Sequence, residues 1–131
     1  MFTKLVILAL AGLTAVLGFS TFRSRIPNGD RVPSPCPAGG IWGGVGHFNS
    51  SGGGPLNPFG EDFEAALFQW TVALCKLDSD KDGKTNGEEL GDPNCVFTAT
   101  GTATLGNPTG QPGICEPLNS AACKDQTVVC V

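Results

Sequence analysis

The chain has 131 residues, a formal net charge of −4 and 40% hydrophobic residues. An acidic balance of this kind argues against a nucleic-acid partner, because phosphate backbones are bound through clustered Lys and Arg. With 19 Gly and 10 Pro, the chain can form few long elements and only a small core, which conformational entropy would overwhelm unaided.

In chain order, residues 1–20 read as a signal peptide: Lys4 leads an apolar run from Leu5 to Leu17, and the small residues Gly18 and Ser20 follow near a cleavage point. The run is too short to make a stable membrane anchor, and no later segment is apolar enough to span a bilayer. All six cysteines, Cys36, Cys75, Cys95, Cys115, Cys123 and Cys130, lie beyond it. An even count in a small secreted chain implies three disulfides, each worth about 2–4 kcal/mol. A zinc site is disfavoured, since there are no C-x₂-C pairs and only one histidine.

Residues 21–97 are expected to form the main domain. Thr21 to Ala38 carries four prolines and reads as an extended arm pinned by Cys36. Gly39 to Gly60 reads as a glycine-rich loop, in which Ile41 to Phe48 brings large apolar residues and glycines together. It is not a phosphate loop, because it lacks the G-K-[ST] ending and a preceding strand. Asn49-Ser50-Ser51 is a candidate N-glycosylation acceptor.

Glu61 to Leu77 is the expected helix, with Phe63, Ala66, Leu67, Trp70, Leu74 and Leu77 at helical spacing on one face. It runs into Asp78-Ser79-Asp80-Lys81-Asp82-Gly83-Lys84-Thr85-Asn86-Gly87-Glu88-Glu89, which has the ligand spacing of an EF-hand calcium loop. Asp78, Asp80 and Asp82 would each give Ca²⁺ one oxygen, Lys84 its backbone carbonyl, Asn86 a direct or water-mediated contact, and Glu89 two oxygens, while Gly83 permits the sharp turn. No second loop exists to pair with it, Thr85 replaces the usual aliphatic residue at the eighth position, and Pro93 stops the exit helix early. A static extracellular site follows, with an expected affinity of about 10⁻⁴–10⁻³ M.

Residues 98–113 form a Thr/Gly/Pro-rich connection and residues 114–131 a cysteine-containing tail, with a strand candidate at Thr127-Val128-Val129. Fifteen disulfide pairings are open in principle. The three tail cysteines cannot pair among themselves, so one must reach back. Cys95 is the first choice of partner, with Cys36–Cys75 closing the core. The expected fold class is small, disulfide-rich and α+β or irregular: one main α-helix running into a single EF-hand-like calcium loop, with short strands and long Gly/Pro-rich loops.

Several motifs in one order resemble the temptin-domain family. They are Arg25-Ile26-Pro27-Asn28-Gly29, the Trp42 to His47 segment, Gly52-Gly53-Gly54, Asn57-Pro58-Phe59-Gly60 with Asp62-Phe63, Trp70-Thr71, Leu74-Cys75, and Asp78 through Pro93 with Cys95. The resemblance runs from about Phe22 to Phe97. It implies an extracellular, disulfide-bonded module with a calcium site, of a family known from a water-borne mating attractant of marine molluscs. Phe97 stands where the family usually has tryptophan, and the tail cysteines lie outside its pattern.

The functional expectation is a secreted, calcium-stabilised binding or signalling module with a protein partner or receptor. No catalytic set competes: there is one histidine, no Tyr, and no Ser-His-Asp or Cys-His spacing. The alternative is an extracellular metal-dependent enzyme or redox accessory in which His47 supplies a transition-metal ligand.

Overall fold

The computed structural model describes residues 22–131; the expected signal peptide lies outside them. Three short helices occur among these residues: α1 (Pro58–Ala65), α2 (Val72–Lys76) and α3 (Asn86–Leu90). The rest is loop and turn, organised around a core of Ile26, Val32, Trp42, Val45, Phe59, Phe63, Leu74, Leu90 and Ile114.

The expected single main helix is not formed. Helix α1 starts three residues early, because Asn57 caps it by accepting from the Gly60 amide and Pro58 occupies the first turn. It then ends before Leu67 and Phe68, both of which take left-handed backbone with φ 57°. The break is set by aromatic packing. Phe68 turns back to stack on Phe22 at 4.3 Å and meets the edge of Phe63 at 5.7 Å. Trp70 donates its indole N–H to Asp92, and Thr71 caps a fresh helix by accepting from the Leu74 amide. Leu67, expected on the buried face, is 78% exposed.

Short strands were expected, and none forms among the described residues. Isolated bridges stand instead: Pro33 with Ile41, His47 with Leu56, and Asn49 with Val129. The strand candidate at Val129 makes only two backbone bonds, to Phe48 and Ser50. Only the five-residue α2 enters the acidic loop and the five-residue α3 leaves it, so the expected main helix running into an EF-hand-like loop is absent as well.

The disulfides are Cys36–Cys130, Cys75–Cys95 and Cys115–Cys123. A tail cysteine does reach back, but to Cys36 rather than Cys95. The reason lies in how α3 returns to α2. Gly87 sits so close to Cys75 that a Cβ there would overlap its sulfur, and the turn from Gly87 through Asp92 to Cys95 is held by Asp92 N–H to Gly87 O and Cys95 N–H to Asp92 O. The two flanks of the acidic loop therefore meet, and their cysteines pair across it.

The glycine-rich segment and the end of the connection build the other half of the core. Asn57, fully buried, donates to the carbonyls of Val45 and His47. Gln111, also fully buried, donates to the same Val45 carbonyl and accepts from Gly113. Close packing leaves no room for side chains here: a Cβ at Gly60 would overlap the Gly46 carbonyl, and one at Gly113 the Asn57 amide.

Candidate metal centre

Helix α2 delivers the chain into the loop at Asp78, and α3 carries it out. Asn86 fixes the loop's base, since its side chain donates to Leu74 O and Ser79 Oγ and accepts from the Ser79 amide. Ser79 in turn donates to Asp62 on α1, at 2.7 Å. Thr85, which seemed a mere departure from the usual loop, caps α3 by accepting from the Glu88 amide. The chain turns at Lys81 and Gly83, with φ 57° and 95°. Only the second of these is eased by glycine.

The loop's amides organise the aspartates. Asp82 N–H faces carboxylate oxygens of both Asp78 and Asp80, Gly83 N–H donates to Asp78 at 2.9 Å, and Lys84 N–H donates to Asp82. Carboxylate oxygens of Asp78, Asp80 and Asp82 consequently lie within 4.8 Å of one another. Glu89 joins them from the last turn of α3: it is 1% exposed, and the charges of Asp80 and Asp82 both act on it. Asp80 Oδ2 and Glu89 Oε2 are buried and have no hydrogen-bond partner.

Burial first, and then the neighbouring Asp82, push the Asp80 carboxyl up to about 9. Burial, followed by the charges of Asp80 and Asp82, pushes Glu89 up to about 10. Carboxylates crowded out of water resist ionising unless a cation joins them. The donor set of acidic oxygens, two of them orphaned, fits a hard divalent cation, which takes oxygen ligands in numbers that backbone and water can complete.

Of the residues expected to hold calcium, Asp78, Asp80 and Asp82 converge, and Glu89 is buried where the charges of Asp80 and Asp82 act on it. Asn86 does not offer its side chain, which is spent on Leu74 and Ser79. Lys84 is exposed. One carboxylate went unnoticed in the sequence: Glu116, half-buried beyond the connection, is close enough for its charge to act on Glu89 and for that of Asp82 to act on it. Burial raises Glu116, and Asp82 adds to this against a hydrogen bond from the Gln111 amide. No spacing signal links Glu116 to Asp78, because the connection places it.

His47 stands in a different part of the molecule's bonding scheme. Its Nδ1 lies 3.0 Å from the Gly54 carbonyl, to which it donates. The aspartate trio is the one group of three His, Cys, Asp or Glu side chains that the described residues bring to a single point. The Asn49 side chain accepts from the amide and hydroxyl of Ser51.

No solved structure matches the chain. The temptin of Aplysia californica is 49% identical over 115 residues, which cover 87% of this chain and 92% of that protein. The family model described as Temptin C-terminal matches residues 16–114, a span that includes α1, α2, α3 and the whole acidic loop. This chain belongs to the temptin family.

Proposed function

We propose that this protein is a secreted, calcium-stabilised recognition module of the temptin type, which presents a fixed surface to a protein partner or receptor in attractant-type signalling. The observation that carries the calcium reading is the pair of buried, unpartnered oxygens on Asp80 and Glu89 beside Asp78 and Asp82. A bound Ca²⁺ would supply the positive charge that this cluster lacks. The chain's own part is to gather the ligands: α2 and α3 aim them, Asn86 props the loop from beneath, and Cys75–Cys95 clamps its two flanks.

The three disulfides support an oxidising, extracellular setting. No described helix is long and apolar enough to cross a membrane. Family membership supports a signalling role rather than catalysis. In this reading the ion has no reaction to promote; it fixes the direction in which the chain leaves α2 and returns through α3.

Calorimetric titration of the oxidised protein with Ca²⁺ tests the first half of the proposal. Uptake of one ion with a Kd of about 10⁻⁴–10⁻³ M is expected, and no uptake at about ten times that range would overturn it. Binding to receptor-bearing membrane extracts in calcium and in chelator tests the second. Capture that is equal in both would leave the ion without a presenting role.

A further inference from the structure

Glu89 is held from two sides. Its carboxylate faces the aspartates, while its backbone carbonyl accepts from Thr109 N–H at 2.8 Å and Gly110 N–H at 3.3 Å. Gly110 lies flush against the carboxylate itself: a Cβ at this position would stand 2.9 Å from Glu89 Oε1. The same strand of connection bonds along α3 at other points, through Thr109 Oγ1 to Glu88 O and Gly106 N–H to Gly91 O. Asn28 ties the two together, its amide donating to Leu90 O and Gly106 O.

From Gly110 to Cys115 the chain is buried. Gln111 anchors this stretch in the core through Val45, and its amide holds Glu116 Oε1 at 3.0 Å. Glu116 is thereby fixed where its charge acts on Glu89 and that of Asp82 acts on it, beside the three clustered aspartates and Glu89. Without a cation, placing a fifth carboxylate there is electrostatically unfavourable. The orphaned oxygens of Asp80 and Glu89 mark the point on which these groups bear.

We infer that the cation site has two walls: the loop 78–89 supplies ligands, and the segment Gly110–Glu116 closes over them, with Gly110 seating the Glu89 carboxylate and Glu116 adding negative charge. Cation uptake and docking of residues 106–116 are then one equilibrium, and the segment is a lock on the site rather than a linker. This rests on the calcium reading above. Glu116 lies beyond the 16–114 span matched by the family model, so the second wall includes a group of this chain's own tail. Gly110 and Glu116 are positioning residues, acting through Glu89 and through the field at the site.

The test pairs calcium calorimetry with hydrogen exchange of the full oxidised chain, comparing wild type with Glu116→Gln, Gly110→Ala and, as control, the exposed Glu64→Gln on α1. Glu116→Gln keeps an oxygen for the Gln111 amide while removing the charge. It should weaken calcium affinity about tenfold, as expected of a group that supports ligands from behind, without lowering the melting temperature in chelator. Gly110→Ala should weaken affinity at least as much, the control should match wild type, and calcium should slow exchange across residues 106–116. If wild type binds calcium but Glu116→Gln binds equally, or exchange in 106–116 ignores calcium, the second wall falls and the calcium site stands. If wild type takes up no calcium, both fall.

Discussion

The two halves of this small molecule bury polar groups in opposite ways. Around Asn57, the chain satisfies itself: Asn57 and Gln111 share the Val45 carbonyl, Trp42 donates its indole N–H to His47 O, and Asn57 accepts from Gly60. Around Asp80 and Glu89, two carboxylate oxygens are buried with nothing to bond. Asp92 shows that the second half could have been closed the same way. It is equally buried, yet its carboxylate accepts from Trp70, Val96 and Phe97. The difference teaches that orphaned acidic oxygens here are local to one loop and are not a general looseness of the fold.

The largest effect is expected where the chain closes on itself. Asn57→Ala would strand the Gly60 amide and so remove the cap of α1, and it would take one of two donors from each of the Val45 and His47 carbonyls, which should cost about 3–4 kcal/mol. Denaturant unfolding should show the same loss in calcium and in chelator. A loss that calcium reduces would mean that the two halves are not separable.

The next effect belongs to the half that the proposed ion would close. If Kd is about 10⁻⁴ M, Ca²⁺ at about 100 Kd should stabilise the fold by about 2.7 kcal/mol, and Glu89→Gln should abolish that gain. The metal-free state has its own signature. Asp80 and Glu89, raised to about 9 and about 10, hold protons in the fold at pH values where the unfolded chain, with carboxyls near 4, has released them. Their contribution to stability is therefore complete below pH ~4 and is lost as pH rises towards 9 and 10. In chelator, thermal unfolding across that window should show stability falling with pH. Calcium binds the deprotonated form, so its stabilisation should grow with pH, and in chelator at alkaline pH Glu89→Gln should melt no lower than wild type.

The acidic loop was legible because its information is local: Asp78, Asp80 and Asp82 come together at alternate positions of one turn, and Glu89 is buried within reach of the charges of Asp80 and Asp82. The helix before it was misread for a reason equally physical. Leu67 and Phe68 have ordinary helical spacing, and only the distant Phe22 ring explains why the backbone reverses there. The start of α1, by contrast, was written in Asn57-Pro58 and was obscured by the surrounding glycines. Cysteine pairing and Glu116 depend on how the loop and connection return through space, which residue spacing does not carry. Gln111 illustrates the point, as a polar residue in a Gly/Pro-rich stretch whose burial against Val45 has no local signal.

Within the loop itself, the smallest predicted effect separates the parts closed by chain from those that the proposed ion would close. Thr85 lies between Asp82 and Glu89 in sequence, yet its hydroxyl accepts from the Glu88 amide and so serves helix α3. Thr85→Ala should cost about 1 kcal/mol, and by the same amount in calcium and in chelator, because the bond it removes lies within the chain. Calcium affinity should stay close to that of wild type, since Asn86 and Cys75–Cys95 still hold the base and flanks of the loop. A matched pair of melting curves and one titration decide the matter. Should the cost vanish in calcium, the ion rather than the cap would be what sets the first turn of α3, and the division between the two kinds of closure would run through the loop at Glu88 instead of around its acidic oxygens.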